Sequence, residues 1–256
     1  MGQVIYMFEN RKNEKILVYS PISIFYLIFL LFLTVILLPY MIFVGRLVGN
    51  ALSIPPYMIF IVFLLSLLGS HVNIKVKETE SFQPIITFRD ISFFGIQWRI
   101  PDLGYGIKKT FVAVNVGGAL IPSLLSLYLL LYSVPSLEEN LIVAYSKILV
   151  AFIVVTLVVH AFARPVEGLG IAVPSFIPPL TAALTSAAIF SIYVETNPFI
   201  IAYVGGTLGT LVGADLLNLK KISKLRASTV SIGGAGVFDG VFMTGIMAIL
   251  LLWLMT

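Results

Sequence analysis

The chain has 256 residues, of which 59% are hydrophobic and 11% are charged, and its mean hydropathy is +1.05. A soluble globular protein is about 45–50% apolar and about 25% charged, so this composition excludes a soluble enzyme, a disordered chain and a collagen-like chain. The net charge is only +4, and the absence of cysteine excludes disulfides, thiolate metal sites and cysteine nucleophiles. The composition predicts a polytopic membrane protein.

The apolar runs predict an all-helical bundle of about seven transmembrane helices in one domain, 1–256. A helix needs roughly 20 apolar residues to cross a bilayer. In the fifth run, glycines and prolines make the first half a broken or re-entrant segment, since irregular backbone is tolerated only where protein or a cavity surrounds it. The runs are 22–44, 47–68, 110–137, 141–163, 168–194, 197–219 and 229–254. Within the second run, a turn at Pro55 and Pro56 comes before the helix.

The one stretch of soluble character is an insertion at 71–104, between the second and third runs. Apolar and polar residues alternate over 72–77 and again over 96–100, as in half-buried strands. We therefore expect a small cytoplasmic β-hairpin that lies on the membrane surface, with Trp98 at the interface. A mobile loop with chance alternation is the other interpretation.

Basic residues predict the orientation of the chain. With seven spans, fourteen of the sixteen lysines and arginines fall on the side of the N-terminus, and only Arg46 and Lys147 lie at or near the other side. Because cytoplasmic loops are enriched in basic residues, we expect a multi-pass protein of the cell (plasma) membrane with its N-terminus in the cytoplasm and its C-terminus outside.

Two carboxylates lie where the bilayer should be. Asp215 is about one turn before the cytoplasmic end of the sixth run, and Asp239 follows a glycine-rich stretch, two or three turns into the seventh. A carboxylate at membrane depth costs several kcal/mol unless it is paired, hydrated or protonated, so each marks a functional site. A short loop joins the two runs, so they should be antiparallel neighbours whose aspartates share one cavity.

Three weaker candidates surround this pair. Asn218 is one helical turn after Asp215 and therefore on the same face. Asn115 lies beside two glycines in the third run, either as a ligand or as the donor of an interhelical hydrogen bond. Glu167 is either a third carboxylate in the cavity or the partner of Arg164, three residues earlier.

Glycines recur every four residues on the sixth run, at Gly205, Gly209 and Gly213. This small-residue stripe favours close helix packing. His160, near the end of the fourth run, is more typical of a packing histidine than of a ligand.

Paired aspartates support two chemistries. They can hold a divalent cation, for which calcium, magnesium or manganese are the candidates because hard cations prefer oxygen ligands. They can also share one proton and cleave a peptide bond inside the membrane. We expect divalent-cation binding that serves transport, with Asp215, Asp239, Asn218, Asn115 and Glu167 as metal ligands. The alternative is a peptidase with Asp215 and Asp239 as the catalytic pair.

The expected partners are the lipid bilayer and divalent cations, without nucleic acid. Self-association into a homo-oligomer is left open by the sequence.

Two family resemblances accompany this hypothesis. Aspartates on consecutive helices, the second after a glycine-rich run, resemble the GxGD-type intramembrane aspartyl proteases, which include presenilin-like enzymes; that likeness covers about residues 200–245 and implies the catalytic pair. The whole chain resembles an uncharacterised prokaryotic family of multispanning membrane proteins with a domain of unknown function. The segments that carry it are 213–218, 232–236 and 238–240, and this likeness implies no activity.

Overall fold

Apolar helices make up most of the computed structural model. It describes residues 16–18, 24–93, 96–166, 170–224, 229–234 and 240–255. The helices are α1 (Ile24–Leu52), α2 (Pro56–Gly69), α3 (Val116–Leu137), α4 (Leu141–Phe162), α5 (Ile177–Ile189), α6 (Pro198–Leu219) and α7 (Gly240–Met255). The strands are β1 (Ile16–Val18), β2 (Val72–Phe93), β3 (Ile96–Asn115), β4 (Arg164–Val166), β5 (Gly170–Ala172) and β6 (Thr229–Ile232).

Three helices, α3, α4 and α6, are each 22 residues long and apolar enough to cross a membrane. A fourth candidate is the second part of α1, Leu38–Leu52, together with α2; the two are bent by 117° at a short break and form either a broken span or a re-entrant loop. Helices α5 and α7 have 13 and 16 residues, fewer than the roughly 20 that a span needs. The described residues therefore contain three or four candidate spans, and the predicted number of seven is not confirmed.

Two of the helices begin at later residues than the predicted spans. Residues 110–115 belong to β3, so the third apolar helix begins at Val116. Residues 229–232 form β6, and the described part of the seventh helix begins at Gly240. Both errors have one cause: a short, mostly apolar segment of four to six residues fits a buried strand as well as a helix.

A four-stranded sheet with the order β1-β2-β3-β6 replaces the small hairpin of the prediction. Strands β2 and β3 pair antiparallel from Asn73 opposite Asn115 to the tip, and β6 lies parallel to the last residues of β3. Near the tip, a hydrogen bond from the Arg99 guanidinium holds the pKa of the Asp90 carboxyl below its usual value. The location of this hairpin on the cytoplasmic membrane surface stays a prediction.

The segment before α5 is not helical. Strands β4 and β5 pair antiparallel, and α5 begins at Ile177 with Pro178 and Pro179 in its first turn. Proline is tolerated there because the first helical amides have no intrahelical acceptor. The broken backbone expected in this region is present, whereas its re-entry into a membrane stays a prediction.

Helix α6 lies at the centre of the helical part, and 67% of an apolar stretch of 18 residues within it is buried. The glycine stripe packs against α4, as expected. A Cβ atom at Gly205 would lie 2.7 Å from the Cβ of Ala151, and one at Gly213 would lie 2.6 Å from the carbonyl oxygen of Thr156. These glycines therefore bring the α4 and α6 backbones together.

Loops gather at two ends of the bundle. At one end, the Asn197 side chain donates to the Ala51 carbonyl at 3.0 Å, and its backbone amide donates to Glu138 at 2.8 Å. At the opposite end of α6 lie Asp215 and the strands of the sheet.

Candidate functional site

A polar junction forms where α2 leads into β2 and β3 leads into α3. Asn115 lies at its centre and is completely buried. Its amide nitrogen donates to the Ser70 carbonyl at 2.7 Å and to the Asn73 side-chain oxygen at 3.3 Å, while its own side-chain oxygen accepts from the Gly118 amide at 2.7 Å. Asn115 is thus the N-cap of α3 and not, as predicted, a residue inside the third span.

Asn73 extends the junction to β6. Its side-chain oxygen accepts from Asn115 and from the hydroxyl of Ser231, a residue of β6. The Asn73 amide nitrogen has no hydrogen-bond partner among the described residues, although the side chain is completely buried. Such unpaired buried donors are rare in folded proteins.

Glycines let the segments of the junction approach closely. A Cβ atom at Gly117 would lie 2.0 Å from the Ser66 carbonyl oxygen, inside van der Waals contact. Gly233, directly after β6, has a φ of +78°, and a Cβ there would lie 2.5 Å from the Cβ of Ala119. Glycine at 233 is therefore required both by its backbone conformation and by the space available.

Asp215 joins α6 to this junction. It is the last residue of a π-helical turn, Leu211–Asp215, and it is half-buried. One carboxylate oxygen accepts a hydrogen bond from the Gly233 backbone amide at 2.8 Å. Gly233 also packs against Gly118 and Ala119, in the first turn of the helix that Asn115 caps, so the Gly233 turn connects the Asp215 carboxylate to that helix. π-Helical turns occur frequently at functional sites.

Asn218 supports the backbone before Asp215. Its side-chain nitrogen donates to the carbonyls of Gly213 at 3.1 Å and Ala214 at 2.8 Å, and its oxygen accepts from Lys221 at 2.7 Å. The π-helical turn passes into a 3-10 helix here, Leu216–Lys224, which leaves these carbonyls to be satisfied by side chains. The amide that was predicted to be a ligand is used to hold the turn that carries Asp215.

His160 of α4 contacts the same turn. Its Nδ1 lies 3.3 Å from the Gly213 carbonyl oxygen and 3.3 Å from the Asn218 side-chain nitrogen. This is the packing position that the sequence indicated for His160, with α4 and α6 linked at their ends.

Two predicted site residues, Asp239 and Glu167, lie outside the described residues. Within the described part of the chain, no group of three or more histidine, aspartate or glutamate side chains could hold a metal ion. Of the predicted carboxylates, the structure thus places Asp215 alone, together with the amides of Asn115 and Asn218.

Sequence reasoning missed Asn73 and Ser231 as members of this junction. Asn73 lies in an alternating strand, where a polar residue normally faces solvent, and Ser231 lies in a run that was assigned to a helix. Gly233 belongs to the glycine-rich stretch before Asp239, and its place next to a second glycine is typical of a turn or a close backbone approach.

A comparison with protein families identifies the group to which this fold belongs. Residues 67–251 match the family described as "Protein of unknown function (DUF1614)". The chain belongs to this family. The match includes the junction and Asp215, confirming the resemblance to an uncharacterised family. No curated protein and no solved structure matches the DUF1614 chain, so the resemblance to presenilin-like enzymes finds no support here.

Proposed function

We propose that this DUF1614 protein is an integral membrane protein that binds a divalent cation at the junction, with Asp215 as a ligand, and that the binding serves transport. The observation that carries the proposal is the position of Asp215: a half-buried carboxylate at the end of a membrane-length helix, oriented by the Gly233 amide. A carboxylate within a membrane-length helix is typical of ion pathways in membrane proteins.

The surrounding chemistry favours a hard cation. The chain has no cysteine and two histidines, so oxygen atoms are the main donors available. Calcium, magnesium and manganese prefer such oxygen donors. The buried amide side chains and the backbone exposed at the glycines add dipoles around Asp215. These dipoles support a site for a charged ligand, which a purely apolar helix contact would not form.

We propose Asp239, which follows the glycine-rich stretch before α7 in the sequence, as the second ligand of the ion.

Calorimetry on the full chain in lipid nanodiscs tests the proposal. Calcium, magnesium and manganese are titrated into wild-type protein, Asp215→Asn, Asp239→Asn and the double variant. Asp102→Asn is the matched control, since it makes the same change at an exposed hairpin carboxylate. We expect binding to weaken at least tenfold, about 1.4 kcal/mol, in each site variant and to stay unchanged in the control. Equal binding by wild type and double variant would reject the cation site.

Flux measurements separate transport from binding alone. Proteoliposomes that contain a manganese-quenched dye should lose signal with wild-type protein and retain it with Asp215→Asn. The same vesicles also test the peptidase alternative. Cleavage of a transmembrane substrate by the wild-type protein, abolished in either single aspartate variant, would support it instead.

A further inference from the structure

Two basic residues, Arg46 and Lys147, break the charge segregation of the chain, and the structure explains one of them. Lys147 is buried in α4, where its ammonium group donates to the carbonyls of Phe190 at 2.7 Å and Val194 at 2.5 Å and to the Thr196 hydroxyl at 3.2 Å. All three of its protons have acceptors, so Lys147 ties α4 to the loop after α5.

Arg46 has no such explanation. It is the only charged residue from Ile24 to Gly69, and its side chain is exposed and forms no ion pair with any described residue. It lies in a cleft of about 350 Å³ between α1 and α2. Apart from Arg46, the residues that line this cleft are apolar or aromatic: Ile42, Gly45, Pro56, Tyr57 and Phe60.

The position of Arg46 along α1 matches the level of lipid headgroups. Helix α1 has 29 residues, whereas about 20 cross the hydrocarbon of a bilayer. Arg46 lies about 33 Å along the axis from Ile24, which is just beyond a hydrocarbon core of about 30 Å. Tyr57, which is 67% exposed, lines the same cleft, and tyrosine is enriched at this level of membrane proteins.

We propose that this cleft binds one anionic phospholipid. The Arg46 guanidinium and the Tyr57 hydroxyl hold the phosphate, and an acyl chain lies along the apolar wall formed by Ile42 and Phe60. Apolar walls alone would accept any lipid, whereas an arginine without an acidic partner selects a negatively charged headgroup, because guanidinium and phosphate form paired, charge-assisted hydrogen bonds. Basic pockets between membrane helices bind anionic lipids in this way.

The test uses native mass spectrometry and thermal unfolding of the full chain in detergent, with phosphatidylglycerol or phosphatidylcholine added. We expect wild-type protein to retain one phosphatidylglycerol at least tenfold more strongly than phosphatidylcholine and to unfold at a higher temperature with it. Arg46→Gln should lose this preference, and Arg46→Lys should keep part of it. Arg89→Gln, the same change on the hairpin, should keep all of it.

A second variant separates the cleft from the charge. A Cβ atom at Gly45 would meet only the Pro56 carbonyl oxygen, at 4.0 Å, so the backbone accepts a larger side chain there. Gly45→Leu should fill the cleft and reduce phosphatidylglycerol binding while Arg46 is intact. Equal retention of the two lipids by wild type, or an unchanged preference in Arg46→Gln, would overturn the proposal. Stabilisation of the protein by glycerol phosphate to the same extent as by the lipid would also overturn the proposal, because that result would indicate a site for free anions.

Discussion

Gly233→Ala perturbs the junction at the residue that orients Asp215. The left-handed backbone at 233 costs a non-glycine residue about 1–2 kcal/mol. The new methyl group would lie 2.5 Å from the Cβ of Ala119 and 2.8 Å from the carbonyl carbon of Gly118, an overlap that costs about 1–3 kcal/mol more. We therefore expect a loss of about 2–5 kcal/mol, which lowers the unfolding temperature by roughly 5–15 °C in a chain of this size.

Thermal unfolding in detergent, followed by tryptophan fluorescence, measures this loss, and two other glycines separate its causes. Gly170 also has a positive φ, +119°, but a Cβ atom there would have no atom of the described residues within 4 Å, so Gly170→Ala should show a backbone cost without a clash. Gly240 has no such φ and, among the described residues, no atom near its Cβ position, so Gly240→Ala should be neutral or stabilise by up to about 1 kcal/mol. A Gly233→Ala protein as stable as the Gly240→Ala protein would refute the reasoning.

Two further predictions concern the cap of α3 and the hairpin. Asn115→Ala removes three buried hydrogen bonds and should cost about 2–4 kcal/mol, whereas Asn140→Ala, at an exposed N-cap with one such bond, should cost about 1 kcal/mol; equal unfolding temperatures for the two variants would contradict this. Trp98 is 57% exposed, and if the hairpin lies on the membrane its emission in a Trp253→Phe background should shift to the blue in vesicles and be quenched by brominated lipids. Emission typical of indole in water, insensitive to those lipids, would place the hairpin away from the bilayer.

The sequence was sufficient for helices bounded by clear caps. Helices α4 and α6 begin and end within about a residue of the predicted runs, because uninterrupted apolar sequence follows Asn140 and Asn197, whose side chains accept from the first amides of each helix. The apolar residues of β6 were assigned to a helix because a strand paired with a parallel neighbour needs the same kind of run.

The junction could be predicted only in part. Asp215 and Asn115 stood out because they are polar residues in apolar runs, and the Gly233 turn contacts both the Asp215 carboxylate and the first turn of the helix that Asn115 caps. Their connection through Gly233, and the role of Asn73, depend on pairing between strands more than 100 residues apart in the chain, which local periodicity does not encode. The hydrogen bonds of Asn218 could not be predicted, because the helix changes type at 211–215 and helical spacing no longer fixes where the side chain points; its role as a ligand stays a prediction.

A structure of the protein soaked with calcium tests the central claim most directly. We predict one ion at the junction, with an oxygen of Asp215 about 2.3–2.6 Å from it and a second carboxylate, that of Asp239, on the opposite side. An ion bound elsewhere, or no ion at Asp215 at calcium concentrations that saturate the calorimetric titration, would contradict the account.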